Sequence, residues 1–269
     1  MKDKRVLYVS SEVIPYLPET EISSMSFEAP RMINNSGGQI RIFMPRYGNI
    51  NERRHQLHEV IRLSGMNLVI NDLDMPLIIK VASIPKERIQ VYFIDNEDYF
   101  KRKATFADEE GNFFKDNDER AIFFAKGVIE TVKKLNWAPD IIHVHGWMAA
   151  FLPLYLRNYY GTEPLFENSK IVTSVYNQGF DGELAKNTID KVRFDAIDDE
   201  AIMGLENPTY VNLMKIALGN SDAIIKGSEE IPAELEEYIN TLEKPVLNYH
   251  NMENFSQAYL DFYSEKVLK

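Results

Sequence analysis

The chain has 269 residues, 45% hydrophobic and 26% charged, enough apolar material for a full core and too even a mixture for a disordered or fibrous chain. A formal net charge of −11 argues against a nucleic-acid surface, and the lack of cysteine excludes disulfides, thiolate nucleophiles and Cys-ligated metals. No apolar run reaches the ~20 residues of a membrane span, and Ser10, Ser11 and Glu12 interrupt the N-terminal run too soon for a signal sequence, so the chain reads as cytoplasmic with no membrane partner.

RVLYVSS opens the chain as a short buried strand, β-branched and aromatic between polar flanks. A helix is expected from about Ile22 to Asn34, kinked or shortened by Pro30 and stopped at Ser36-Gly37-Gly38. Ile40 to Pro45 is the second strand, so the first 45 residues form a strand-helix-strand unit with a right-handed crossover. Extended runs at Asn67–Ile70, Leu77–Ala82 and Ile89–Ile94 leave little room for helices and predict an antiparallel extension.

Asp116 and Glu119 have the spacing of a capping box ahead of a helix whose apolar face is Ile122, Ala125, Ile129 and Val132. DIIHVH is the next strand, WMAAFLPLYLRNYY a helix containing Pro153, and KIVTSVYN another strand. Residues 181–206 are acidic and poorly periodic and read as an exposed excursion. A helix at Tyr210–Leu218, the strand DAIIKG and a helix at Glu229–Asn240 resume the alternation, and PVLNYH adds one more strand. The segment 254–268 places Phe255, Tyr259, Phe262 and Val267 on one helical face. With no repeat, linker or break in composition, residues 1–269 read as one α/β domain: Rossmann-like, doubly wound, on a mostly parallel sheet with an antiparallel extension.

Ligands of such sheets bind beyond the carboxyl ends of strands. That rule selects four loops: Ser10–Pro18, Arg46–Asn49, His143–Met148 and Tyr176–Asp181. No GxGxxG follows the first strand and no Walker sequence occurs, which removes the common phosphate-binding backbones. His143 and His145 share one face of a strand, either as hydrogen-bonded structural histidines or as ligands wanting a third group; no metal or cofactor is indicated. His55 and His58 lie among Arg53, Arg54 and Glu59 and read as a solvated face, while PRYGN and NERR are loops able to hold an anion. Trp147 and Tyr176 are either core residues or aromatic platforms for a sugar.

VLYVSSEVIPY, GGQIRIFMPRY, DIIHVHGWMAAFLPLYL and VTSVYNQGFDG occur in the order of four motifs of the bacterial glycogen and plant starch synthases. Over about residues 4–240 the chain resembles their N-terminal catalytic half. The resemblance implies one half of a two-domain glycosyltransferase fold and a place in α-1,4-glucan (glycogen) metabolism. The family's reaction is glucosyl transfer from ADP-glucose, a nucleotide-sugar, to an α-glucan, with the nucleotide held mainly by a C-terminal half that this chain lacks.

The departures fall on the residues that carry the chemistry. Where the family has Lys-Thr-Gly-Gly-Leu beside the pyrophosphate, a gapless alignment gives Pro18, Glu19, Thr20, Glu21 and Ile22. Its Asp and second His become Gly146 and Met148, and its next His becomes Tyr176. The resemblance thus leaves no catalytic residue intact with confidence. Glu12, Tyr16, Arg46, His143, His145, Trp147, Asn177 and Asp181 remain candidate cleft residues. Three readings follow: a family protein with a degenerate donor site and no autonomous transfer, a transferase completed by a companion synthase chain, or an unrelated sugar or phosphate enzyme on the same fold. A homodimer through the face that the absent half would cover is expected. The tail at 254–268 is expected to pack back on the domain, as the family's last helix does, making the chain a complete short protein.

Overall fold

The computed structural model describes residues 1–269. Its ten strands are β1 (Arg5–Ser10), β2 (Gln39–Pro45), β3 (His58–Glu59), β4 (Met66–Ile70), β5 (Leu73–Ile84), β6 (Ile89–Asp95), β7 (Ile141–His145), β8 (Lys170–Val175), β9 (Ala223–Lys226) and β10 (Val246–Leu247). The helices are α1 (Glu21–Asn35), α2 (Glu52–His55), α3 (Glu97–Phe100), α4 (Asn117–Lys134), α5 (Phe151–Arg157), α6 (Thr188–Arg193), α7 (Asp199–Ile202), α8 (Tyr210–Gly219), α9 (Ala233–Thr241) and α10 (Phe255–Phe262).

The sheet order is β10-β9-β8-β7-β1-β2-β6-β5-β3, with β4 paired to β5. Pairing is parallel from β10 to β6, and β5 joins β6 antiparallel, as the short gap between their sequences requires. From β1 the chain winds toward β2 and β6, then returns to lay β7, β8, β9 and β10 on the other side. The switch point therefore lies between β1 and β7, where Tyr8 pairs with His143 and Ser10 with His145. The expected doubly wound sheet with an antiparallel extension is observed.

Local expectations fared unevenly. Helix α1 runs through Pro30 to Asn35, although that residue leaves the Ser26 carbonyl without its helical donor. No capping box forms at Asp116: its carboxylate forks with Arg102 at 2.9 and 2.6 Å, and Glu119 accepts from the Tyr99 hydroxyl at 3.0 Å. A full box stands instead at Thr20 and Ser23, a pair of hydroxyls with no Glu or Gln in the third position. The helix expected from Trp147 begins as a 3₁₀ turn at Trp147–Ala149, with Pro153 in the first turns of α5, where a missing N–H costs little. Helix α9 begins at Ala233 and β10 is only two residues long.

The excursion at 181–206 is the largest difference. It forms α6 and α7 and buries Leu184, Val192, Ile197, Ile202 and Leu205. Its Lys191 reaches Asp118 at 2.7 Å and Glu119 at 2.8 Å on α4, and its Asp195 accepts from Lys126 at 2.7 Å and Tyr155 at 2.6 Å. These polar groups are satisfied by partners distant in sequence, so the segment's polarity does not report exposure.

One cluster of 79 buried hydrophobic residues runs from Val6 to Val267 and includes Phe255, Tyr259, Phe262 and Tyr263 of the tail. The tail thus adds side chains to the same core as β1 and β7. No helix is long and apolar enough to cross a membrane.

Candidate functional site

The switch-point crevice is framed by the turn after β1, the N-terminus of α1, and the segments following β7, β8 and β9. Glu12, at the head of the first turn, is buried, and its carboxylate is fully engaged. It accepts from Thr20 Oγ1 at 2.7 Å and from Gln178 Nε2 at 3.0 and 3.1 Å. Thr20 Oγ1 also accepts from the Ser23 amide at 3.0 Å, while Ser23 Oγ accepts from the Thr20 amide at 2.8 Å and donates to the Pro18 carbonyl at 2.9 Å. The Thr20 hydroxyl thus caps the Ser23 amide in the first turn of α1.

Glu21 carries this further. As the first residue of α1 it sits at the positive pole of the helix dipole, where a carboxylate is favoured, and it accepts from the Ser228 hydroxyl beyond β9. Ser228 Oγ in turn accepts from the Asn177 amide at 2.9 Å. The chain Glu21–Ser228–Asn177 fastens the helix N-terminus to the carboxyl ends of β8 and β9. Glu19 is exposed beside it. With Thr20, Glu21, Tyr249, His250 and Met252 it lines a cavity of about 480 Å³ that no Lys or Arg enters.

Gly146 has φ +78° and ψ 158°, a region open essentially to glycine alone. A Cβ there would lie 2.8 Å from Ser11 Cβ, so the turn after β7 presses directly on the turn after β1. Ser11 Oγ accepts from the Met148 amide at 3.2 Å, and the Met148 side chain is buried. The two positions thus hold a tight turn and a core residue, and neither presents a polar side chain to the crevice.

His143 and His145 lie beneath this floor, fully buried, with ring centroids 3.9 Å apart. His143 bonds the Tyr263 hydroxyl through Nδ1 at 2.5 Å and Ser174 Oγ through Nε2 at 2.7 Å; His145 Nδ1 bonds the Tyr176 hydroxyl at 2.7 Å. Burial drives both pKa values down, that of His145 to about 3 and that of His143 well below the usual value with the neighbouring His145 adding to the effect, so both rings are neutral at pH 7. No third His or carboxylate converges on the pair. Tyr176 is buried too, its carbonyl accepting from the Tyr210 hydroxyl at 2.6 Å.

Trp147 packs under Phe106, Phe113 and Phe180 at centroid distances of 4.8, 5.6 and 4.9 Å, which leaves it no free face for a sugar. Tyr16 turns away from the crevice and sets its ring on His55 and Phe93. Arg46 stands apart, its Nε 2.9 Å from Asp95 Oδ2 in a network with Glu52 and Lys80. Asn177 and Asp181 are exposed and, with Phe180, Tyr210 and Pro232, line a second cavity of about 500 Å³, again without a Lys or Arg. The structure therefore brings Glu12, Thr20, Glu21 and Asn177 together and sends Tyr16 and Arg46 elsewhere. Sequence reading selected the loop Tyr176–Asp181 without naming Gln178 in it, and missed Ser228. The signal for Ser228 was its place just past the end of β9, a strand end not among the four selected loops.

A doubly wound sheet with its crevice at the switch point is the architecture of one half of a nucleotide-sugar glycosyltransferase. The chain belongs to the starch synthase catalytic domain family, whose pattern matches residues 5–244. It is 35% identical over 229 residues to a glycogen synthase of Chlorobium luteolum, covering 85% of this chain and 46% of that protein. It is likewise 35% identical over 250 residues to a glycogen synthase of Chlorobaculum tepidum, covering 91% and 49%. The chain thus spans about half the length of the curated relatives it matches. Among solved structures, the catalytic domain of starch synthase IV from Arabidopsis thaliana, bound to ADP and acarbose, superposes with a TM-score of 0.75 at 16% identity. That match covers 93% of this chain and 52% of the other, and it shows the fold.

Proposed function

We propose that this chain is a glycogen synthase-family module of α-1,4-glucan metabolism whose donor position is occupied by its own carboxylates, so that it binds α-glucan without transferring glucose by itself. The observation that carries this reading is the Glu21–Ser228 contact at the N-terminus of α1. A pyrophosphate brought to that helix end meets Glu21, with Glu19 beside it, and no Lys or Arg lines the adjoining cavity. Stabilising a departing diphosphate needs placed positive charge, and like charges at a few ångströms oppose binding. The glucan half of the proposal rests on family membership and on the acarbose held by the Arabidopsis starch synthase. Its partner on this reading is a companion synthase chain or a second copy of itself.

Calorimetric titration with ADP-glucose, UDP-glucose and maltohexaose tests the proposal. Heat from maltohexaose alone is the expected result. Submillimolar binding of ADP-glucose at the crevice favours the reading in which another chain completes an active transferase, and silence from all three ligands removes the glucan half.

A further inference from the structure

A third cavity, of about 660 Å³, lies between α2 and the β5–β6 hairpin at the amino-terminal ends of β2 and β6, the opposite end of the sheet from the crevice. It differs from the rest of the molecule in charge. In a chain of net charge −11, Arg54, Lys86 and Arg88 line it and no carboxylate does. The ion pairs nearby are made by Arg46 and Lys80, and these three cations enter none. His55 joins them from α2; partial burial, with the Arg54 charge adding to it, holds its pKa below the ordinary value. Ile84 and Ile89 are buried at the base of the cavity and give it an apolar floor.

Gln56, Lys86 and Arg88 have φ of +53°, +71° and +57°, the first as the left-handed cap of α2 and the other two in the turn between β5 and β6, so short turns carry the cavity's rim. Uncompensated guanidinium groups above an apolar floor suit a small molecule with a phosphate at one end and a ring at the other. Arginine bonds phosphate oxygens in a bidentate fork, and the volume falls inside the range of about 300–1,000 Å³ typical of small-molecule sites.

We infer that this cavity binds a phosphomonoester of a ring-bearing metabolite, at a site separate from the crevice. Adenosine monophosphate, glucose 6-phosphate and inorganic phosphate, each titrated calorimetrically at low and high salt, distinguish a nucleotide, a sugar phosphate and the bare anion as the ligand. The expected result is binding by a phosphomonoester but not by adenosine or glucose, weakening as salt rises, and reduced at least tenfold by Arg54→Gln with Arg88→Gln. Both side chains are exposed, and the single Arg54→Gln variant gives a smaller loss of the same sign. The inference is overturned if no phosphomonoester binds at millimolar concentration, or if the double variant binds as the parent does. The double variant also separates this site from the proposed function. ADP-glucose heat that the variant abolishes belongs to this cavity, and heat that survives in it counts against a blocked crevice.

Discussion

Acid should destabilise this protein through its two buried histidines, and the share due to His145 can be isolated. His145 has no solvent exposure, and its pKa falls from 6.5 to about 3 because burial penalises the charged ring. In the unfolded chain the ring recovers its ordinary pKa and takes up a proton below pH 6.5, so the unfolded state binds more protons and stability falls with pH. The loss starts as pH drops through 6.5 and levels off near the folded value of about 3. At about pH 5 the ring has lost some 1.5 pH units at about 1.4 kcal/mol each, close to 2 kcal/mol relative to about pH 8. His143, held still more firmly neutral, adds a loss of the same sign. Urea unfolding followed by tryptophan fluorescence at the two pH values, on the parent and on His145→Gln, isolates the term. The drop between them should be smaller in the variant by about 2 kcal/mol, even though the variant is weaker at both pH values through its altered bond to Tyr176. An identical pH dependence in the two proteins would refute the argument.

Further substitutions test the rest of the site. Thr20→Val removes the acceptor for the Ser23 amide and a donor to Glu12, which should cost about 2–3 kcal/mol and lower the melting temperature by about 5–10 °C in calorimetry. Gly146→Asp, which restores the residue the family resemblance implies, should destabilise by about 3 kcal/mol or more and gain no donor binding. Ser11→Gly in the same chain should recover part of that loss, because Ser11 is what the new side chain meets. Tyr263→Phe leaves His143 Nδ1 without its partner and should cost about 1–3 kcal/mol by denaturant unfolding; no change would mean the tail is not fastened there.

Much of the architecture was legible because it rests on local pattern. Strands β1, β2, β7 and β8 are apolar runs closed by polar turns, and the tail buries the face that its spacing marks, Phe255, Tyr259, Phe262 and Val267. What escaped depends on contacts between distant residues. Lys191 and Asp118 pair across 73 positions and turn an acidic stretch into part of the fold, and Arg102 draws Asp116 away from the cap that its spacing predicts. The crevice was half legible. The acidic run Glu19–Glu21 stands out against the expected Lys-Thr-Gly-Gly, whereas the bonding of Glu21 to Ser228 and of Glu12 to Gln178 needs three strand ends in one place. The histidines were visible as a pair on one strand, but only the fold shows them under the floor with Tyr263, Ser174 and Tyr176.

The most direct test of the central claim is glucosyl transfer itself, measured with the purified chain, labelled ADP-glucose and glycogen as acceptor. The account predicts no incorporation above the protein-free blank from a preparation that binds maltohexaose. Incorporation that follows the concentration of this chain, in the absence of any other, would contradict it.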